Sequence, residues 1–184
     1  MQDLHEVTIS SDKKFEGKII KLRVDTVELQ NGATATREIV EHPGGVCVIS
    51  LDENKEVLMV RQFRAPFGRV MLEVPAGKLN YGEDYFECGK REFTEETGYS
   101  AKKYTYLGNM YPSVGFLNEI LHIYLAEDLV KETQNLDEDE FLSVEKYKLS
   151  TLVEMVMKNE IKDSKTIIAI LMLNNISGLR PETR

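Results

Sequence analysis

Short runs of apolar and β-branched residues recur along the chain and are separated by polar turns. In the first 42 residues, the run Lys18–Leu29 is followed by the pair Asn31-Gly32, which is typical of tight hairpins, and by a returning run, Thr34–Glu41. The pattern predicts a small antiparallel β unit of three or so strands over residues 1–42. Because so few strands are only marginally stable alone, we expect the unit to pack on the rest of the chain or on a second subunit.

A second, larger domain is predicted over residues 43–184, because His42–Gly45 interrupts the first pattern. The predicted strands are Val46–Leu51, Val57–Phe63, Val70–Val74, Tyr104–Met110, Ile120–Ala126 and Phe141–Tyr147, and two closing helices are predicted at Leu149–Asn159 and Ser164–Ile176. The segment Pro75–Gly77 is expected to end extended structure before a further helix. This order of elements indicates a mixed α/β sandwich.

The helix after Gly77 is predicted to begin near Glu83 or Asp84, because negative side chains suit a helix N-terminus. A buried stripe is predicted from residues at helical spacing: Phe86, Gly89, Phe93 and Thr97. Gly89 costs about 1 kcal/mol relative to Ala inside a helix, so we expect it to pack closely against the sheet. Gly98 lies where a C-terminal cap belongs.

Composition narrows the class of protein. The 184 residues are 42% hydrophobic and 29% charged, which is typical of a globular domain. The net charge of −8 disfavours nucleic-acid binding, whereas a phosphate substrate remains compatible because a bound metal reverses the local field. Cys47 and Cys88 fit no metal-ligand spacing, and we expect two free, buried thiols, with a disulfide as the alternative.

The sequence also indicates where the protein is found. No apolar run approaches the roughly 20 residues of a membrane span, and the N-terminus lacks the basic and then apolar pattern of a signal peptide. The expectation is a cytoplasmic protein with no membrane or nucleic-acid partner.

Three glutamates crowd one face of the predicted helix. Residues three and four apart share a helix face, so Glu92, Glu95 and Glu96 would repel one another. Helix stability does not require this arrangement, but a hard divalent cation does, because Mg²⁺ prefers oxygen ligands.

The same stretch resembles the Nudix box, G-x5-E-x7-R-E-U-x-E-E-x-G-U, in which U is bulky and apolar. The matching positions are Gly77, Glu83, Arg91, Glu92, Phe93, Glu95, Glu96, Gly98 and Tyr99. Tyr99 departs from the usual aliphatic residue. The resemblance implies an α/β/α sandwich with a mixed sheet, and hydrolysis at phosphorus assisted by Mg²⁺ or Mn²⁺. Such ions neutralise a diphosphate, orient it and acidify a bound water.

Residue roles follow from the resemblance. It implies metal ligation by Glu92, Glu96, Glu95 and the backbone carbonyl of Ala76, a catalytic part for Glu96, and structural roles for Gly77, Glu83, Arg91 and Gly98. Glutamate pairs are also common on solvated helix faces, but the joint spacing of Gly77, Arg91 and Gly98 favours the functional interpretation.

An acidic segment, Leu136–Phe141, follows further along the chain. Its place resembles that of the mobile acidic loop that supplies the catalytic base in ADP-ribose pyrophosphatases of this family. Glu140 is the best match to that base and Glu138 the next. A solvated loop is the alternative, and a calcium loop is disfavoured because its sixth-position glycine is missing.

Further segments resemble the R-E, Q-F-R, E-x-P-A-G and S-P-G-F-x-x-E segments of ADP-ribose pyrophosphatases: Thr36–Ile39, Arg61–Arg64, Leu72–Gly77 and Tyr111–Glu119. The substrate-binding residues implied are Arg37, Arg64, Glu73, Ser113, Gly115, Phe116 and Glu119. Taken singly, each arginine is more often a surface ion pair. Val114 replaces the proline that is associated with ADP-ribose specificity, so the substrate stays open.

The leading hypothesis is an enzyme that hydrolyses ADP-ribose, or a related nucleoside-diphosphate sugar, to AMP and a sugar phosphate. The alternatives are a Nudix hydrolase for another diphosphate, such as a dinucleotide or a different nucleotide sugar, and a non-catalytic nucleotide-sensing module. The resemblance also implies a homodimer that exchanges its N-terminal β unit and shares active-site residues.

Overall fold

The computed structural model describes residues 4–80, 82–138 and 140–178, and its contacts divide the chain into two compact units. The first unit is Met1–Gly44 with Tyr111–Ile120, and the second is Gly45–Met110 with Leu121–Arg184. The grouping of residues 111–120 with the N-terminal segment is a feature that the hydrophobic pattern did not predict. The domain boundary at residues 42 and 43 stays a prediction.

The first unit contains a three-stranded antiparallel sheet in the order β1-β2-β3. Its strands are β1 (Val7–Glu16), β2 (Lys21–Glu28) and β3 (Thr34–Glu41). The turn between β2 and β3 contains Gly32 at a φ of 77°, and Ala33 N–H donates to Asn31 Oδ1 at 3.0 Å. The predicted antiparallel unit is confirmed. Strand β1 was not predicted, because its sequence is mostly polar and all ten of its residues are exposed.

The second unit holds the remaining elements. Its strands are β4 (Gly45–Ser50), β5 (Glu56–Arg64), β6 (Arg69–Glu73), β7 (Ala76–Lys78), β8 (Tyr99–Met110), β9 (Leu121–Lys131) and β10 (Leu142–Lys148). Its helices are α1 (Tyr85–Thr97), α2 (Leu149–Met157) and α3 (Ser164–Ser177), with a short 3₁₀ helix at Ala65–Phe67. One sheet has the order β7-β4-β9-β8 and the other β10-β5-β6. Because β4 and β9 are parallel while the other pairs are antiparallel, the four-stranded sheet is mixed.

Strand β4 divides the core into two layers, and all six of its residues are buried. Val46 and Val48 belong to a cluster with Phe93 of α1. Cys47 and Ile49 point to the opposite face, where they join the cluster that contains buried residues of α2 and α3. Helices therefore cover both faces of a mixed sheet, which confirms the predicted α/β/α sandwich.

Helix α1 begins and ends close to the predicted positions. Asp84 is its N-cap and accepts hydrogen bonds from two backbone N–H groups, and Gly98 ends the helix at a φ of 68°. Gly89 faces the sheet, and a Cβ added there would lie 2.8 Å from Val46 Cγ1. The expected close packing of this glycine is confirmed.

Three predicted boundaries were wrong, one of them at the end of β9, which continues to Lys131 rather than stopping at Ala126. Extended structure does not end at Pro75–Gly77, because β7 pairs with β4. Pro75 lies where the chain passes from one sheet to the other, and its carbonyl accepts a hydrogen bond from Val48 N–H at 2.9 Å. Strand β8 begins at Tyr99 rather than Tyr104, since its first residues are too polar to give an apolar signal.

Cys47 and Cys88 are free and buried, as predicted. Burial raises the pKa of each thiol to about 12, so both remain protonated at neutral pH. Among the described residues, no helix has both the length and the apolar character needed to cross a bilayer.

Candidate active site

Arg91 is the centre of an ion-pair network on α1. Its Nε and Nη2 atoms donate to the two carboxylate oxygens of Glu83 at 2.9 and 3.0 Å. Its Nη1 lies 3.0 Å from Glu95 Oε2 and 2.9 Å from Glu92 Oε1. The hydrogen bonds from Arg91 lower the pKa of Glu83 to about 2. Because Glu83 also accepts from Asn80 N–H at 2.9 Å, the network holds the preceding loop against the helix.

Glu96 is almost completely buried, with 2% of its surface exposed. Its Oε2 accepts a hydrogen bond from Ala76 N–H at 3.0 Å, so two of the predicted ligand residues are adjacent. Burial, followed by repulsion from Glu140 and Glu92, raises the pKa of Glu96 well above its usual value. A cation beside Glu96 would reduce the energetic cost of burying its negative charge.

Glu92 lies directly over the backbone of Gly77. A Cβ added to Gly77 would lie only 1.9 Å from Glu92 Cδ, so the glycine is required for space. Burial raises the pKa of Glu92 although Arg91 pairs with it. The loop and the helix thus bring the Glu92 carboxylate close to the segment that carries Ala76.

The two residues that precede the acidic segment bind the C-terminal end of α1. Gln134 Nε2 donates to the carbonyl of Glu96 at 2.6 Å, and Asn135 N–H donates to the carbonyl of Glu95 at 3.0 Å. These contacts satisfy carbonyls that have no partner within the helix. They also fix the start of the chain that leads to Glu140.

Glu140 is brought to the carboxylate cluster, whereas Glu138 is exposed. Gln62 Nε2 donates to Glu140 Oε1 at 3.2 Å, and the charge of Glu140 raises the pKa of both Glu92 and Glu96. Burial and then Asp137 raise the pKa of Glu140 itself. Asp139 of this segment lies outside the described residues.

Arg64 is held by a buried carboxylate that sequence reasoning assigned to substrate binding. Its Nε and Nη2 donate to both oxygens of Glu73, each at 2.7 Å, and Glu73 is only 2% exposed. Lys165 also donates to Glu73 and pairs with Asp163 at 2.9 Å. Burial alone would raise the pKa of Glu73, but Arg64 and Lys165 outweigh it and hold that pKa below its usual value.

Lys165 was missed by sequence reasoning, although a signal was present. It lies in the first turn of α3, where the positive end of the helix dipole disfavours a cation. A lysine at such a position indicates a nearby anion, which here is Glu73.

The other predicted substrate-binding residues lie in the first unit. Arg37 Nε donates to Glu6 at 2.9 Å, and Glu119 Oε1 lies 3.4 Å from His42 Nδ1. The Ser113 carbonyl accepts from Leu117 N–H at 3.1 Å. The neighbouring loop residues Gly115 and Phe116 are exposed.

The residues fit a hard divalent cation. Within the described residues, no three His, Cys, Asp or Glu side chains form a ready-made metal-binding group. The donors implied by the resemblance are Glu92, Glu95, Glu96 and the carbonyl of Ala76, and all are of the oxygen type that Mg²⁺ prefers. Of these, Glu95 pairs with Arg91 at 3.0 Å. Burial is the largest cause of the raised pKa of both Glu92 and Glu96, and the lowering effects of Arg91 on Glu92 and of Arg64 on Glu96 do not outweigh it.

Two protein-family models match this chain. The NUDIX domain model matches residues 41–169. The chain belongs to the Nudix family. A second model, the nucleoside diphosphate sugar hydrolase N-terminal domain, matches residues 6–40.

Nudix relatives match over nearly the whole chain. An ADP-ribose pyrophosphatase of Bacillus subtilis is 45% identical over 184 residues, covering 99% of this chain and 100% of the relative. A methanol dehydrogenase activator of Bacillus methanolicus is 42% identical and covers 95% and 96% of the two chains. The structure of an ADP compounds hydrolase gives a TM-score of 0.84 over 97% of both chains at 17% identity, which supports the fold alone. The interpretation as an enzyme, a Nudix hydrolase, is confirmed.

Proposed function

We propose that this Nudix hydrolase cleaves the diphosphate bond of ADP-ribose or a related nucleoside-diphosphate sugar with Mg²⁺ or Mn²⁺, releasing AMP and a sugar phosphate. The observation that carries the proposal is the position of two box carboxylates against one loop: Glu96 accepts from Ala76 N–H at 3.0 Å, and Glu92 lies against Gly77. The charge of Glu140, from a separate loop, acts on both of them. The 45% identity to an ADP-ribose pyrophosphatase supports the choice of substrate.

Each residue of the proposed site has a task. Glu92, Glu96 and the carbonyl of Ala76 would hold the cation, which supplies charge neutralisation and an acidified water. Glu140 is the proposed general base, and its raised pKa makes it a better proton acceptor than an ordinary carboxylate. Arg64 is fixed by Glu73 and offers its charge to the substrate phosphates.

A different nucleoside diphosphate is the second candidate substrate. Val114, which takes the place of the subfamily proline, is 82% exposed and constrains the loop less than proline would. The deciding experiment incubates the purified enzyme with ADP-ribose, GDP-mannose and a dinucleotide, with and without Mg²⁺. We expect AMP from ADP-ribose to form fastest. A higher rate with either other compound would favour the second candidate.

We further propose a cytoplasmic homodimer that exchanges its N-terminal β unit. Six large apolar side chains near β1 are exposed: Leu4, Val7, Ile9, Phe15, Ile19 and Ile20. An apolar surface of this kind is typical of a protein contact. The two free thiols suit a reducing compartment.

A further inference from the structure

The second unit contains a basic cavity of about 440 Å³. Its lining includes four cations and two carboxylates: Arg64, Arg69, Lys162, Lys165, Glu73 and Asp163. The chain as a whole carries a net charge of −8, so this excess of positive charge runs against its overall composition. The lining therefore carries a net positive charge, which favours anions over cations in the cavity.

Two arginines of the cavity lie directly opposite each other. Arg64 of β5 and Arg69 of β6 are cross-strand partners, and like charges in this relation destabilise a sheet. Glu73 uses both of its oxygens on Arg64. In the part of the chain that the structure describes, Arg69 has no ion pair, so its charge is left without a counter-ion.

The start of α3 adds further positive charge to the same cavity. Lys162 directly precedes the N-cap Asp163, and Lys165 lies in the first turn, where the helix dipole is also positive. Asp163 caps Thr166 N–H at 3.0 Å and pairs with Lys165. Lys162 is exposed and has no ion pair among the described residues.

The rest of the wall is apolar. Met71 lies on β6 between Arg69 and Glu73 on one face of the strand, and Pro66 and Phe67 come from the 3₁₀ helix. Phe67 is 67% exposed. A ligand that combines a phosphate with a sugar or base would meet cations at one part of the wall and apolar surface at another.

We propose that this cavity is a phosphomonoester-binding site in which Arg69 and Lys162 neutralise the phosphate. A phosphate dianion would offset the opposed arginines and the unpaired Lys162 at the same time. Arg64 belongs to the cavity and also lowers the pKa of Glu96 and Glu140, so a bound phosphomonoester would share an arginine with the carboxylate site. Both products of the proposed reaction are phosphomonoesters. The link between the cavity and these products rests on the proposed function, whereas the proposed binding of a phosphomonoester does not.

The test measures binding by calorimetry to protein that has been freed of metal by a chelator. The probes are inorganic phosphate, ribose 5-phosphate and AMP, and the double variant R69Q/K162Q is compared with K103Q/K158Q. The control removes the same charge at exposed lysines of β8 and the α2 C-cap that pair with Glu127 and Glu154. Thermal unfolding establishes that both variants are folded.

We expect R69Q/K162Q to weaken phosphomonoester binding at least about tenfold and the control to change it less than about twofold, since two charge-assisted contacts are lost only in the former. Equal affinity of R69Q/K162Q and the unaltered protein would overturn the proposal, as would absence of binding up to about 20 mM. Tighter binding of ribose 5-phosphate or AMP than of phosphate would support contact between the sugar or base and the apolar wall. Equal binding of all three would contradict that contact. Because the probes contain no diphosphate bond and binding is measured without metal, a failure of hydrolysis alone would refute only the proposed function.

Discussion

At the scale of single residues, the site contains acidic side chains whose burial and close approach to one another are each energetically unfavourable. Glu96 is buried among carboxylates, and Glu92 is fitted against Gly77. The spacing of the box predicted that these residues share a helix face. It did not predict that Glu73 would be buried and paired with Lys165, because that contact joins positions 92 residues apart.

The Glu96 carboxylate is expected to destabilise the metal-free protein at neutral pH. Its folded pKa is raised, so the folded state binds a proton more tightly than the unfolded state. The stabilising effect of that proton is complete below the unfolded pKa and is lost as the pH rises toward the folded value. E96Q removes this loss, and we expect metal-free E96Q to melt a few degrees higher than the unaltered protein at about pH 8, with a smaller gap at about pH 5.

Calorimetric melting curves at the two pH values check this expectation. E154Q on the exposed surface of α2 is the matched control, and it should follow the unaltered protein. A lower melting temperature of E96Q at about pH 8 would show that the buried charge is already neutralised within the protein.

At the scale of elements, two glycines allow close contacts of α1, and their substitution should have different effects. Gly77 lies beside the helix, whereas Gly89 lies within it and faces the sheet. In G77A the new Cβ would displace the flexible end of Glu92, and in G89A it would lie 2.8 Å from Val46 in the core. We expect G77A to raise the Mg²⁺ concentration for half-maximal activity about tenfold with little change in melting temperature, because only the proposed metal ligand Glu92 moves. G89A should lower the melting temperature by a few degrees with an unchanged Mg²⁺ response. The reverse assignment would contradict the packing described.

The acidic segment also provides two variants whose effects on activity should differ. Glu140 reaches Gln62 and interacts with the box glutamates, whereas Glu138 is exposed. We expect E140Q to lower kcat about 100-fold or more and E138Q to change it less than about threefold, as for a general base and a solvated neighbour. Rates measured at saturating substrate from pH 6 to 9 decide between them. A larger loss in E138Q would transfer the role to that residue.

At the scale of the whole molecule, the hydrophobic pattern predicted a mixed α/β sandwich and the N-terminal β unit. The resemblance to the Nudix box implied the α/β/α arrangement with a mixed sheet. Strand β1 was not predicted. All of its residues are exposed, so neither face of the strand needs the apolar residues that would give a recognisable pattern. The segment Gln134–Asn135 was also not assigned a role, since its hydrogen bonds to the end of α1 depend on tertiary placement. Sequence patterns indicate which face of an element is buried, but not which distant loop contacts its end.

The exposed apolar surface near β1 leads to a prediction about assembly. We expect light scattering at micromolar concentration to give the mass of two chains. The double variant I9D/F15D should shift the population toward one chain, because it places charges on exposed apolar positions, and S11D on the same strand is the control. A single-chain mass for the unaltered protein would contradict the proposed dimer.

The most direct test of the central claim is the release of AMP from ADP-ribose by the purified enzyme, followed by chromatography. We expect release with Mg²⁺, none after addition of a chelator, a loss of more than about 100-fold in E96Q, and a normal rate in E154Q. Unchanged release in E96Q, or release that persists in the chelator, would contradict a metal-dependent reaction at the box carboxylates.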